Sequence, residues 1–232
     1  MKPTDIRIEG VAYGFEDFLY RTPLKFGGVA VDRVTLLDVE LRVRTVGGKS
    51  ATGFGSMPLG NVWAFPSKTL GYDDTLAAMK ALAEQIRHVA ANCDEIGHPI
   101  DIAHALEPAY RQAAEDVTRD LQLAEPIPWL AALVVASPFD AALHDAFGKV
   151  HGLNAYHTYG LEFLTYDLSH HLGPAFCGER LDDYIAREPL PSLPLYHLVG
   201  ALDPITDADV RQRIADGLPE TLPEWIRADG LT

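Results

Sequence analysis

Cysteine is nearly absent from this 232-residue chain: Cys93 and Cys177 stand alone, in no paired or metal-like spacing. Met1 opens no signal-peptide pattern, so two free thiols in a reducing cytoplasm are expected in place of a disulfide framework. Lysine is scarce as well, and Lys149 is the last of it. With a net charge of −14 and no basic tail, the chain repels nucleic acid and anionic membrane, and neither is expected as a partner. No uninterrupted apolar run of membrane-spanning length is visible, nor any low-complexity segment or internal repeat. What is present is an ordinary globular composition, 47% hydrophobic, enough for one or two domains with a core.

Periodicity divides the chain into strands followed by helices. Ile6 to Tyr13 reads as a strand that runs into an aromatic loop through Phe15, Phe18 and Tyr20. Around Val39, Leu41 and Val43 apolar residues alternate with Glu40, Arg42 and Arg44, a half-buried antiparallel strand within 29–46. Gly47-Gly48 is a hairpin turn, and Ser50 to Phe54 is the returning strand. Helices are expected from Asp73 or Asp74 to about Asn92, and from about Ile100 to Leu121. A third spans Ser137 to Val150, with Ser137 as N-cap, Pro138 at the first helical position and His151-Gly152 as the stop. Strands first and helices after is the α+β pattern: a three-stranded antiparallel sheet with a helical layer.

Three motifs carry a resemblance. Asp140 to Gly160 reads D-x-A-L-x-D-x-x-G-K-x-x-G-L-x-x-Y-x-x-x-G. Upstream lies Arg21-Thr22-Pro23-Leu24-Lys25-Phe26-Gly27-Gly28, and between them Gly53-Phe54-Gly55 follows a strand. Their order and distances, over roughly residues 5–160, resemble the N-terminal capping domain of the enolase superfamily, in its mandelate racemase/muconate lactonizing enzyme group. Where the family carries G-x-G-E, this chain has Ser56 in the acidic position. The resemblance implies a capping domain over 1–157, then a linker and the incomplete start of a (β/α) barrel over 158–232. In that stretch Leu193 to Val199 is expected as a strand, with short helices at Leu181–Ala186, Asp207–Asp216 and Pro219–Ala228. A complete barrel takes about 250 residues, so the chain is expected to stop after the first barrel strand.

The resemblance also implies a chemistry. In the family a divalent cation, usually Mg²⁺, holds a small carboxylate substrate while a base removes the proton α to it, giving racemisation, cycloisomerisation or dehydration. The base is a lysine in a K-x-K motif on the second barrel strand, and metal-binding carboxylates follow on later strands. No K-x-K occurs in these 232 residues, so no catalytic or metal-binding residue is carried over. The chain alone is expected to be inactive and to hold no catalytic Mg²⁺. What carries over is the lid: two loops that close over the barrel mouth. Tyr20, Arg21, Lys25 and Phe26 are the candidates on the first (about 15–28), and Met57, Trp63 and Phe65 on the second (about 55–66). The implied partner is the missing barrel portion or a second chain, and homo-oligomers are common among intact relatives. The alternative is a standalone, non-catalytic capping module that binds a protein or small ligand.

Other polar groups favour plain structural roles. Asp140 and His144 share a helix face at i, i+4, the spacing of an ion pair. His98 and His104 lack zincin spacing. His170-His171 reads as a loop doublet pointing two ways, and Asp182-Asp183 as a pair at a short helix start.

Overall fold

A computed structural model describes residues 1–26, 28–186 and 188–231. Strands β1 (Ile6–Phe26), β2 (Val29–Thr45) and β3 (Ser50–Pro58) form one sheet in the order β1-β2-β3. Helices α1 (Asn61–Ala64), α2 (Tyr72–Ala91), α3 (Pro99–Asp120) and α4 (Trp129–His151) follow, then α5 (Ser169–Leu172) and α6 (Leu222–Asp229) with short 3₁₀ turns between them. The expected α+β architecture is the one observed.

The sheet's register explains its sequence. β2 and β3 run antiparallel with Val39 opposite Gly55, Leu41 opposite Gly53 and Val43 opposite Ala51. Leu37, Val39, Leu41 and Val43 are all buried while Glu40, Arg42 and Arg44 face out, as period-two alternation requires. The Gly47-Gly48 turn joins them, with the Gly48 N–H on the Thr45 carbonyl at 2.9 Å and Gly48 at φ +89°. That conformation is one a side chain rarely adopts.

The helical layer covers this apolar face. Met79, Leu82 and Ile86 of α2, Ile102 of α3, and Phe139 and Phe147 of α4 join the strand residues in one core. The α2 start is capped by Asp74, whose carboxylate accepts the Gly71 N–H at 3.0 Å. α4 ends at Gly152, left-handed at φ 69°, where the Leu153 N–H returns to the Gly148 carbonyl at 2.9 Å.

Five expectations are corrected. Ser137 is not an N-cap: α4 begins eight residues earlier, and Pro138 lies inside it. A proline in a helix interior costs about 3 kcal/mol. Burial of Ala131, Ala132, Val134 and Val135 against the core offsets that cost. The extended α4 is then long and apolar enough to cross a bilayer by length and composition alone, although it is the central core helix here. The aromatic loop after Tyr13 is strand, since β1 continues to Phe26; Gly27 of the motif lies outside the described residues. Finally, Leu193 to Val199 has no strand partner, and Asp207–Asp216 holds only one 3₁₀ turn, Asp207–Asp209. Leu181–Ala186 likewise shortens to the turn Leu181–Asp183, whereas α6 lies close to the expected Pro219–Ala228 helix.

The chain forms two compact units, one of residues 1–18 and 34–189 and one of residues 19–33 and 190–232. The first holds β3, the inner parts of β1 and β2, and helices α1–α5. The second holds the outer β1 and β2 segments and the C-terminal region with α6.

Candidate functional site

The Gly53-Phe54-Gly55 and Asp140–Gly160 motifs meet in the first unit, whereas the segment from Arg21 belongs to the second. Added Cβ atoms would lie 2.1 Å from the Ala142 carbonyl at Gly53 and 2.1 Å from the Pro138 carbonyl at Gly55. No side chain fits either gap, so the two glycines let α4 lie directly on β3. Between them, the Phe54 N–H donates to Asp145 Oδ2 at 2.8 Å, and Lys149 Nζ pairs with that same oxygen at 2.7 Å. Glycine pair, aspartate and lysine therefore make one joint between strand and helix. Gly148 has a similar task, since a Cβ there would meet the Leu153 carbonyl at 2.8 Å. These residues serve packing, and Asp145, Gly148 and Lys149 also form one wall of an open concavity of about 450 Å³ that Tyr156 and Tyr159 complete.

Behind this joint lies a buried polar cluster. His98 is fully buried and caps α3, its Nδ1 accepting the Ile100 N–H at 3.2 Å. Its ring sits edge-on to Phe147 at 4.7 Å and near Tyr159 and His144. Burial, then the neighbouring His144, push its pKa down to about 3, so the imidazole is neutral. His144 is also pushed down by burial, against the opposing pull of Asp140, whose carboxylate is 3.7 Å away. The i, i+4 ion-pair spacing is thus realised, and Tyr159 Oη closes the cluster at 3.1 Å from His144 Nδ1.

The lid candidates fall in both units. In the first, Met57 is half-buried against the core and Phe65 is 1% exposed within it, which leaves Phe65 no surface for a ligand. Trp63 is exposed, with its indole nitrogen over Gly60, where a Cβ would lie 2.0 Å away. In the second unit Tyr20 is half-buried and Lys25 and Phe26 are exposed. Arg21 is already engaged: its Nε and Nη2 grip the two Asp216 oxygens at 2.6 and 2.7 Å, and Nη1 donates to the Pro219 carbonyl at 3.0 Å. This fork is a strong bidentate pairing, and it holds Asp216 down at about 2, chiefly by the hydrogen bond from Arg21. Arg21 to Pro23, with His197, Leu202 and Trp225, line a cleft of about 910 Å³ in this unit.

A second concavity, about 390 Å³, opens in the first unit between α3, α4 and the sheet, lined by Tyr110, Trp129, Leu133 and Phe139 among others. Its single pair of acidic groups, Glu107 and Asp140, makes it a mostly apolar groove. Both cysteines are free, as expected, and burial raises the Cys93 thiol.

One polar group departs from its expected place. His170 and His171 do not point apart in a loop: they lie on α5, and both rings approach His104, at 5.4 and 5.2 Å between centroids. Only the doublet itself hinted at this, because nothing in the sequence links it to a histidine 66 positions upstream.

No protein-family model matches the chain, and no curated protein does either. Among solved structures it is similar to a dipeptide epimerase from Methylococcus capsulatus complexed with Mg and L-Arg-D-Lys, at 16% identity and TM-score 0.41. That match covers 69% of this chain and 36% of the other. It is also similar to an L-talarate dehydratase from Polaromonas sp. JS666 complexed with Mg and L-glucarate (21% identity, TM-score 0.37, 67% and 35% covered). A third is a mandelate racemase/muconate lactonizing enzyme-like protein from Rubrobacter xylanophilus (17% identity, TM-score 0.36, 71% and 39% covered). The chain spans roughly a third of the length of the structures it matches. Likeness at this level assigns no activity.

Proposed function

We propose that this chain is the capping part of an enzyme of the mandelate racemase/muconate lactonizing enzyme group. In this reading its β1–β2 arm and the turn from β3 into α1 cover a small carboxylate substrate held on a (β/α) barrel. The reaction is abstraction of the proton α to that carboxylate, ending in racemisation, cycloisomerisation or dehydration, in the cytoplasm. The observation that carries the proposal is the β3–α4 joint. Gly53-Phe54-Gly55 and the Asp140–Gly160 motif lie far apart in sequence, yet Gly53 and Gly55 lie against the Pro138–Ala146 backbone and the Phe54 N–H meets Asp145.

The chemistry itself belongs to residues outside these 232. Mg²⁺ prefers octahedral oxygen donors, whereas three imidazoles form the one metal-sized cluster of side chains among the described residues. That donor set does not fit Mg²⁺, and the Mg²⁺-dependent chemistry does not run through it. The contribution of this chain is to shape the pocket and exclude water, which strengthens electrostatic interactions inside a closed site. Within the second unit, Leu193, Leu195, Tyr196 and Leu198 are 72%, 91%, 90% and 77% exposed. Apolar surface of this kind favours a chain completed by further polypeptide over a self-sufficient binding module.

The test is to read the gene beyond the Thr232 codon, in all frames, and to assay α-proton exchange in D₂O with Mg²⁺. A K-x-K strand followed by spaced Asp and Glu, with exchange only when that product is present, is expected. Exchange by this chain alone would overturn the division of labour. Neither K-x-K nor exchange would leave the binding-module reading standing.

A further inference from the structure

The first unit carries a cluster of imidazoles that the capping role does not use. His104 projects from the second turn of α3, one turn beyond Asp101 on the same face. His170 and His171 project from α5. The three rings stand mutually edge-on, with centroids 4.9 to 5.4 Å apart, and one nitrogen from each lies within 4.8 Å of the others.

Two of the rings are held by something other than their neighbours. Tyr166 stacks on His170 at 4.0 Å. His171 Nε2 lies 3.4 Å from Asp101 Oδ1, and its Nδ1 is buried without a hydrogen-bond partner. Asp101 is itself about nine-tenths buried, and its Oδ1 makes no geometrically sound hydrogen bond. The segment that presents the doublet is tied by Asp167, whose carboxylate accepts the Ser169 N–H at 3.0 Å and the Gly178 N–H at 2.8 Å. The Leu168 N–H adds a bond to the Glu179 carbonyl at 2.8 Å.

We propose that His104, His170 and His171 form a site for a first-row transition metal, Zn²⁺ by preference, with Asp101 as the positioning residue behind His171. Three neutral imidazoles suit Zn²⁺, Cu²⁺, Ni²⁺ and Co²⁺, and exclude Mg²⁺ and Ca²⁺, which need oxygen donors. Burial lowers the pKa of His171, which favours the neutral form that a metal requires, while Asp101 opposes that shift. Tetrahedral Zn–N bonds of about 2.0–2.1 Å place the nitrogens about 3.3–3.4 Å apart. The cluster must therefore close by up to roughly 1.4 Å, which rotation of the exposed His104 and His170 side chains supplies. A carboxylate behind a ligating histidine is the usual orienting arrangement. Three ligands leave a fourth position for water or another donor. The site would clamp the α5 segment onto α3.

The test is titration of the purified, metal-free chain with ZnSO₄ and CoCl₂, followed by calorimetry and by the visible absorption of Co²⁺. One equivalent is expected to bind at micromolar Kd or tighter, with the intense bands of a tetrahedral Co²⁺ site and a raised Tm. His104→Ala and the His170→Ala/His171→Ala pair should each abolish stoichiometric binding while the far-UV circular dichroism stays unchanged. Asp101→Asn should weaken binding about 10- to 100-fold and shift the Co²⁺ spectrum, whereas His88→Ala and His197→Ala should leave both unchanged. Binding that survives His104→Ala, or no binding by the native chain at millimolar metal, would overturn the proposal. MgCl₂ in the same titration should compete with neither metal.

Discussion

The two units of this chain are built from similar proportions of apolar residue but use them differently. In the first, aliphatic and aromatic side chains recur at period two on β2 and at three- and four-residue steps on α2, α3 and α4. They converge on one core in which Ile6, Leu37, Val39, Leu82 and Ile86 are wholly buried. In the second, Leu190, Leu193, Leu195, Tyr196 and Leu198 are all exposed, and among the described residues the one regular helix is the eight-residue α6. Prolines at 191, 194 and 204 interrupt this stretch before any period can establish itself. Apolar content therefore does not decide burial. An unbroken period, over a length that can span a partner surface, does.

The largest expected effect tests the tightest contact in the first unit. Gly53→Val and Gly55→Val each force a side chain into helix backbone 2.1 Å away, which rigid main chain cannot relieve. Each should destabilise the chain by more than about 4 kcal/mol, or abolish folding, in urea denaturation. Gly10→Ala, at an open position of β1, should stay within about 0.5 kcal/mol. Equal outcomes at the three glycines would dissolve the β3–α4 joint as an explanation.

Phe147→Ala removes a ring that is 1% exposed and should cost about 3–5 kcal/mol. Leu195→Ala removes a side chain that is 91% exposed and should change stability by less than about 0.5 kcal/mol. A large loss at Leu195 would show that the second unit buries it against something these residues do not supply.

Much of the first unit was legible. The β2 alternation, the Gly47-Gly48 turn, α2, α3 and the stop at Gly152 follow from period and from local backbone chemistry. The start of α4 did not, because Ser137-Pro138 forms a good local N-terminus and only tertiary burial of 129–135 overrides it. The strand after Tyr13 was hidden for a similar reason: its outer half is exposed on both faces, so no alternation marks it. Of the lid candidates, Phe65 proved to be core and Arg21 to be held by Asp216, contacts that sequence spacing cannot indicate. The histidine cluster was invisible for the same reason, since its members lie on elements far apart in the chain.

A smaller effect, spread over pH, comes from His98. Its folded pKa of about 3 lies below the ordinary value, so between the two the unfolded chain binds a proton that the folded chain does not. The stabilisation is complete above about pH 6.5 and declines as pH falls, by about 1.4 kcal/mol per unit, until the folded value is reached. His98→Asn keeps a side-chain acceptor for the Ile100 N–H but cannot titrate. Urea midpoints from pH 7 to 5 should therefore fall more steeply in the native chain than in the variant, and parallel slopes would remove His98 from this account.

The smallest expected effect is confined to the second unit. Arg21→Ala removes the fork on Asp216 and the donation to the Pro219 carbonyl. Because the pair is exposed to solvent, its contribution to global stability is small, but it organises its own surroundings. Asp216 Oδ1 also accepts the Leu218 N–H, and Glu220 accepts the amides of Ile214 and Ala215. Hydrogen exchange should quicken at residues 214–222 in Arg21→Ala while amides of 131–150 keep their native rates. The wild-type protection at 214–222 should weaken as pH falls from about 4 toward 2, because a depressed carboxylate contributes only while it is ionised. Were exchange at 214–222 indifferent to the substitution, the C-terminal turn would hold without its arginine. Arg21 would then be free to turn its guanidinium toward the cleft, where a carboxylate ligand could meet it.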